Sequence, residues 1–168
     1  TIVIGVNEDK IGEAGAVLSN ASCTTNSIAA VMDIMEREFG VEKAMLTTVH
    51  SYTASQVLQD APAKDLREAR AAAENIVPTT TGAAIAVTQT VESLKDKFDG
   101  LSVRVPSPVV SLSDVTMVLK RDTTKDEIND VFKKAAQDPY YQGIIAVTDV
   151  PLVSKDYVGN SHSGIVDM

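Results

Sequence analysis

Residues 22–51 constrain the fold more than any other stretch of the chain. Ser22 precedes a run in which Ile28, Val31, Met32, Met35 and Phe39 recur at helical spacing, and Gly40 follows it. A short polar residue before such a run serves as an N-cap and a glycine after it as a stop, so a helix is predicted from Ser22 to Phe39. Ala44 to Ser51 then reads as a strand with Leu46, Thr48 and His50 on one face, by the strand period of two. Leu101–Pro106 and Val110–Arg121 read as further strands with no helix between them. Long strands joined in this way point to an α+β fold: a mixed, mostly antiparallel sheet with helices packed on one face.

The rest of the chain fits around that frame. Thr1 to Asn7 reads as a strand already under way, and residues 8–20 as loop. Residues 52–65 lack a period and contain Pro62, which predicts a long functional loop, and Leu66–Glu74 suits a short helical turn. Thr79-Thr80-Thr81-Gly82 precedes a second predicted helix with Val87, Val91, Leu94 and Phe98 inward and Gly100 at its end. Thr124 and Glu127 have the spacing of a capping box before a helix that buries Ile128, Val131, Phe132 and Ala135. Ile144–Thr148 is a further strand. Both ends fall inside apolar stretches, so the chain reads as a fragment of a longer one.

Composition excludes several function classes. The formal charge of -8 makes the average surface repel nucleic acid and anionic lipid. No apolar run is long enough to span a membrane, and no basic, then apolar stretch opens the chain. A single cysteine forms no internal disulfide, which suits a reducing, cytoplasmic setting.

That cysteine carries the chemistry. A lone cysteine most often packs as a small hydrophobe. Cys23 instead lies in Ala21-Ser22-Cys23-Thr24-Thr25-Asn26, among short polar residues at a predicted helix start. Unpaired N–H groups and the positive end of the helix dipole favour a thiolate there, and the thiolate is the nucleophile. A thiolate needs a base, and the chain has two histidines. His50 ends a Thr-rich strand, whereas His162 lies in a polar, glycine-containing segment that reads as a surface loop. His50 is the candidate partner, beside the plainer reading of a structural or solvated side chain.

Anion binding is the second theme. Thr81-Gly82 opens a helix, where N–H groups and a hydroxyl suit a phosphate, although a plain cap would use the same residues. Arg104 interrupts an apolar strand and must face solvent or pair with an anion. Ser22 and Thr24 add hydroxyls beside Cys23. These parts suit a thiol enzyme acting on a small phosphorylated molecule. One Cys and two His without paired spacing give no zinc site. Neither a Walker loop nor the G-x-G-x-x-G fingerprint occurs in the chain.

Four segments together resemble the glyceraldehyde-3-phosphate dehydrogenase family: 21–26; Thr47-Thr48-Val49-His50-Ser51-Tyr52-Thr53; Asn75 through Ala84; and Val103-Arg104-Val105-Pro106. The resemblance implies that residues 1–20 end a nucleotide-binding domain with its last strand and loop, and that 21–168 form a truncated catalytic domain. It implies that Cys23 attacks the aldehyde, that His50 is the base, and that inorganic phosphate releases an acyl phosphate. By the same resemblance Thr53 and Arg104 hold the substrate's phosphate, and Ser22, Thr24, Thr81 and Gly82 the attacking one. The resemblance also implies a nicotinamide cofactor, NAD or NADP, and a homotetramer for the full-length protein. Two positions depart from the family: Glu68 stands where many bacterial members carry a phosphate-binding Arg, so that either Arg67 or Arg70 replaces it or the contact is missing, and Ile85 stands where Lys is frequent.

Other readings remain open from the sequence. An erythrose-4-phosphate dehydrogenase would share the chemistry. A Cys–His hydrolase would lack an identifiable third member. A non-catalytic thiol-sensing or binding domain would need no cofactor, and residues 1–168 alone are expected to be inactive as an oxidoreductase.

Overall fold

The computed structural model describes residues 1–13 and 15–168; Ala14, within the loop expected over 8–20, lies outside the described residues. The first helix, α1 (Cys23–Phe39), turns at Gly40 into the long strand β1 (Val41–Ser51). Gly40 takes φ +68°, a left-handed conformation that favours glycine, and donates its N–H to Glu36 O. β2 (Val77–Thr80), α2 (Ala83–Thr90), β3 (Phe98–Val105) and β4 (Ser111–Leu119) follow, then α3 (Lys125–Ala135), β5 (Ile145–Thr148) and β6 (Gly164–Asp167).

β1 lies inside a four-stranded sheet of order β2-β3-β1-β4. It pairs parallel with β3 and antiparallel with β4, while β2 pairs antiparallel with β3. β5 and β6 form a separate parallel pair. The fold is therefore α+β with a mixed, mostly antiparallel main sheet, as the strand spacing predicts. One sheet face meets α1 and α2 and carries buried Leu46, Thr48, Val77 and Ser102. The alternate positions face outward, where Met45, Leu101, Leu112 and Val118 are exposed although they are apolar.

Three expectations change. The strand predicted for Thr1–Asn7 is absent. The Asn7 carboxamide oxygen accepts from Val3 N–H, Glu8 accepts from Gly5 and Val6 N–H, and Val3 O receives Val6 and Asn7 N–H. The segment thus satisfies itself as a turn and leaves little for strand pairing. The second helix stops at Thr90, followed by a short 3-10 turn over Glu92–Leu94. Thr88 and Thr90 bond their hydroxyls back to carbonyls three residues earlier, and β-branched residues crowd the end of the helix. Val87, Val91, Leu94 and Phe98 are all buried, so the apolar spacing was real but spans a helix, a turn and the start of a strand. Gly100 accordingly sits within β3 and ends no helix. The cap of α3 is half a capping box: Thr124 accepts Glu127 N–H, but the Glu127 carboxylate goes to Thr123 and Arg121.

Gly100 matters for packing. A Cβ there would lie 2.9 Å from both Leu46 Cβ and Leu46 O, and Leu46 is fully buried. Gly100→Ala should therefore lower the stability of the chain by about 1–3 kcal/mol through overpacking. Leu46→Ala should cost about 2–5 kcal/mol through the opposite defect, a cavity. Urea unfolding of both variants against the parent chain checks this; an unchanged midpoint for Gly100→Ala would remove the close-approach argument.

Candidate active site

The site forms where the start of α1 meets the end of β1. Ala21 turns the chain into the helix at φ +59°, a conformation that non-glycine residues rarely adopt. Ser22 caps the helix: its Oγ accepts Thr25 N–H at 3.1 Å and lies 2.7 Å from Thr25 Oγ1. The Asn26 amide group donates to Asn20 O and Ser22 O and ties down the segment before the helix. Cys23 is the first helical residue and is exposed.

Its Sγ lies 3.5 Å from His50 Nε2, and His50 is buried to 9 % exposure. The other ring nitrogen has two neighbours. His50 Nδ1 is 2.7 Å from Ser51 O and 2.5 Å from Arg104 Nη1, which also donates to Ser51 O at 3.1 Å. A carbonyl only accepts and a guanidinium only donates. Toward Ser51 O, Nδ1 must carry a proton and a neutral ring leaves Nε2 bare; toward Arg104, Nδ1 must be bare and a neutral ring puts the proton on Nε2. Arg104 thus competes with the Ser51 carbonyl for one ring nitrogen.

Sheet register explains why Arg104 is there. It stands beside His50 in the β1–β3 pairing, one strand over and in phase. The same phase brings Thr48 beside Ser102. Thr48 Oγ1, Ser102 Oγ and Arg104 Nε are all buried without a hydrogen-bond partner among the described residues. Buried polar atoms normally have partners, so this polar floor is suited to a water or a ligand. Thr48 and Ser102 were not among the site residues expected from sequence. Their signal was the hydroxyl two residues before His50 and two before Arg104.

The other expected residues are less tightly joined. Thr53 follows His50 by three residues, and its hydroxyl lies 3.2 Å from Ser55 Oγ. Thr24 is buried in the first turn of α1. Thr81 Oγ1 accepts Ala83 N–H at the start of α2, and Gly82 is the residue before that helix. Thr81 follows Thr80, which pairs with Leu101, three residues along β3 from Arg104. Among the described residues no hydrogen bond joins Thr81 or Gly82 to Cys23, His50 or Arg104. Arg70 is held by Asp60 at 2.9 Å, and Glu68 accepts from Ser55. The amide of Ala71 and then Arg70 hold the Asp60 carboxyl below the usual carboxylate range. His162 bonds Asn160 in its own loop.

Two cavities of ≈ 340 and ≈ 770 Å³ lie elsewhere, lined by residues such as Asp60 and Arg70 or Met45 and Phe98, and neither includes Cys23. The thiol opens directly to solvent. Among the described residues no group of three or more His, Cys, Asp or Glu could hold a metal ion, and no helix is long and apolar enough to cross a membrane.

A family model described as "Glyceraldehyde 3-phosphate dehydrogenase, C-terminal domain" matches residues 22–168. The chain belongs to the glyceraldehyde-3-phosphate dehydrogenase C-terminal domain family. Curated relatives agree. The chain is 51 % identical over 168 residues to "Glyceraldehyde-3-phosphate dehydrogenase 2" of Bacillus subtilis, covering 99 % of this chain and 49 % of the relative. It is 50 % identical over 168 residues to "Glyceraldehyde-3-phosphate dehydrogenase" of Borreliella burgdorferi, covering 99 % and 50 %. It is 51 % identical over 168 residues to "Glyceraldehyde-3-phosphate dehydrogenase 2" of Streptomyces avermitilis, again covering 99 % and 50 %. The chain spans about half the length of these relatives. Membership of this family places the Cys23–His50 pair on a dehydrogenase C-terminal domain.

The cap on α1 gives a direct test of how Cys23 is positioned. Ser22→Ala should remove the acceptor for Thr25 N–H and cost about 1 kcal/mol, while Ser22→Asp should retain most of it. Thermal unfolding of the two variants measures this. Equal stability of Ser22→Ala and the parent would show that the cap contributes nothing.

Proposed function

We propose that this chain is the catalytic domain of a phosphorylating glyceraldehyde-3-phosphate dehydrogenase. Residues 1–20 would close its nucleotide-binding half and 21–168 form its substrate domain. The observation that carries the reading is the Cys23 Sγ contact with His50 Nε2 at the first turn of α1, with Arg104 against the same imidazole.

Each residue then has a task. His50 Nε2 takes the thiol proton, and Cys23 Sγ forms the bond to the aldehyde carbon. The helix start favours the thiolate. The N–H of Cys23 and the His50 ring hold the oxyanion that develops. Arg104 and Thr53 receive the substrate's phosphate, supported by the partnerless Arg104 Nε and the polar floor beside it. An anion that draws Arg104 from His50 leaves Nδ1–H to Ser51 O and Nε2 bare, the form a base requires. Once the Cys23 adduct has lost its hydride to a bound nicotinamide, the oxyanion collapses to a carbonyl and a thioester results; inorganic phosphate near Ser22, Thr24, Thr81 and Gly82 would attack its carbon, an acyl phosphate leaves and the thiolate returns.

A nicotinamide, NAD or NADP, supplies the hydride acceptor when bound. The exposed thiol leaves room for its reactive ring, which fits. The chain itself offers no Gly-rich dinucleotide turn, so the nucleotide-binding half would supply that grip. A reducing, cytoplasmic setting suits a lone reactive thiol. The outward sheet face, with Met45, Leu101, Leu112 and Val118 exposed, supports a homotetramer in which another copy covers it.

In the full-length protein, Cys23→Ser or Cys23→Ala should abolish phosphate-dependent reduction of the nicotinamide. His50→Asn should lower kcat by about 10²-fold or more. Steady-state assays with glyceraldehyde 3-phosphate and erythrose 4-phosphate check both and identify the better aldehyde. Retained turnover in the Cys23 variants would sink the reading. Separately, Leu112→Lys should shift the full-length protein to smaller species in sedimentation; an unchanged mass would free this face from assembly.

A further inference from the structure

The segment after His50 carries a hydrogen-bond chain with a fixed direction. Ser55 Oγ donates to Glu68 Oε1 at 3.3 Å, and Thr53 Oγ1 lies 3.2 Å from Ser55 Oγ. An ionised carboxylate can only accept. Ser55 therefore spends its one proton on Glu68. Its oxygen can then only accept from Thr53, so the Thr53 proton turns toward Ser55. What Thr53 offers a ligand is lone pairs. Among the described residues Glu68 makes no salt bridge, and Arg70, two residues on, is paired with Asp60 at 2.9 Å.

We propose that Glu68 is a specificity-determining residue: acting through Ser55, it converts the Thr53 hydroxyl from a donor to an acceptor and weakens the binding of phosphate dianions. This rests on the phosphate-holding role given to Thr53 above. A dianion presents acceptors alone, so it meets both the lone pairs of Thr53 and the charge of Glu68. A ligand hydroxyl, which can donate, is received instead.

The test uses Glu68→Gln and Ser55→Ala in the full-length protein. The carboxamide that Glu68→Gln introduces can donate to Ser55 and reverse the chain, and Ser55→Ala removes the acceptor altogether. Either change frees the Thr53 proton for a ligand. KM for the phosphorylated aldehyde, at saturating inorganic phosphate, should fall about ten-fold in both variants if the dianion held at Thr53 is the substrate's own. KM for inorganic phosphate, at saturating aldehyde, should fall by a similar factor if it is the attacking one. Unchanged values of both constants in both variants overturn the proposal. A fall with Glu68→Gln alone overturns the relay, because charge acting directly would need no Ser55. If the parent protein shows no phosphate-dependent turnover, the functional reading has failed by itself. Protection of Cys23 from alkylation by inorganic phosphate then decides the proposal. Half-protection at lower phosphate in both variants supports it, and equal protection overturns it.

Discussion

The reversal of the chain at Gly40 is the constraint on which the site depends. α1 and β1 run in opposite senses on either side of it. The helix rises about 25 Å over its length. The strand from Val41 to His50 covers about 30 Å. These similar lengths return His50 to the level of Cys23, twenty-seven residues earlier in sequence, and the two side chains meet at 3.5 Å. A residue with a Cβ at Gly40 would be strained at its positive φ and would meet the Lys120 side chain at 2.7 Å. Leu46 and Gly100 then fix β1 against β3, and the register of that pair places Arg104 beside His50. The meeting of Cys23 and His50 therefore depends on a turn at the far end of the helix.

The competition at His50 Nδ1 gives the site a resting form. A guanidinium and a backbone carbonyl at 2.5 and 2.7 Å make opposite demands on one nitrogen. Burial sharpens the conflict, because little water reaches the ring to compensate either side. The arrangement stays balanced only while Arg104 lacks a better acceptor. An anion is a better acceptor than imidazole. An anion that drew Arg104 away would leave Nδ1 to the Ser51 carbonyl, and the buried hydroxyls of Thr48 and Ser102 mark the polar space beside it.

Much of this was legible in the sequence. The N-cap at Ser22, the stop at Gly40 and the alternation of Leu46, Thr48 and His50 each rest on a local rule, and local rules survive folding well. The Cys23 neighbourhood was legible for the same reason. The length of the second helix was not, because Val91, Leu94 and Phe98 keep a helical spacing while serving a turn and a strand. The turn at 1–7 was hidden because apolar residues suggested a strand, while Asn7 and Glu8 captured its N–H groups. The role of Ser51 O belongs to backbone geometry that no residue type announces. The grouping of Thr81 and Gly82 with Ser22 and Thr24 came from the family resemblance, and the hydrogen bonds of the structure leave those two at their own helix start.

Two surfaces of the domain remain open, and they differ in kind. The outward sheet face is apolar, with Leu112 62 % exposed and Met45 53 % exposed. Apolar area of that sort is stabilised only by being covered, whatever covers it. The surface at Cys23 is polar, with the start of α1 and, through His50, Arg104 beside it. It gains little from burial in itself. Three buried polar atoms nearby, Thr48 Oγ1, Ser102 Oγ and Arg104 Nε, lack hydrogen-bond partners among the described residues. The chain, about half the length of these relatives, thus exposes an apolar sheet face and a polar surface at Cys23 that differ in what would cover them.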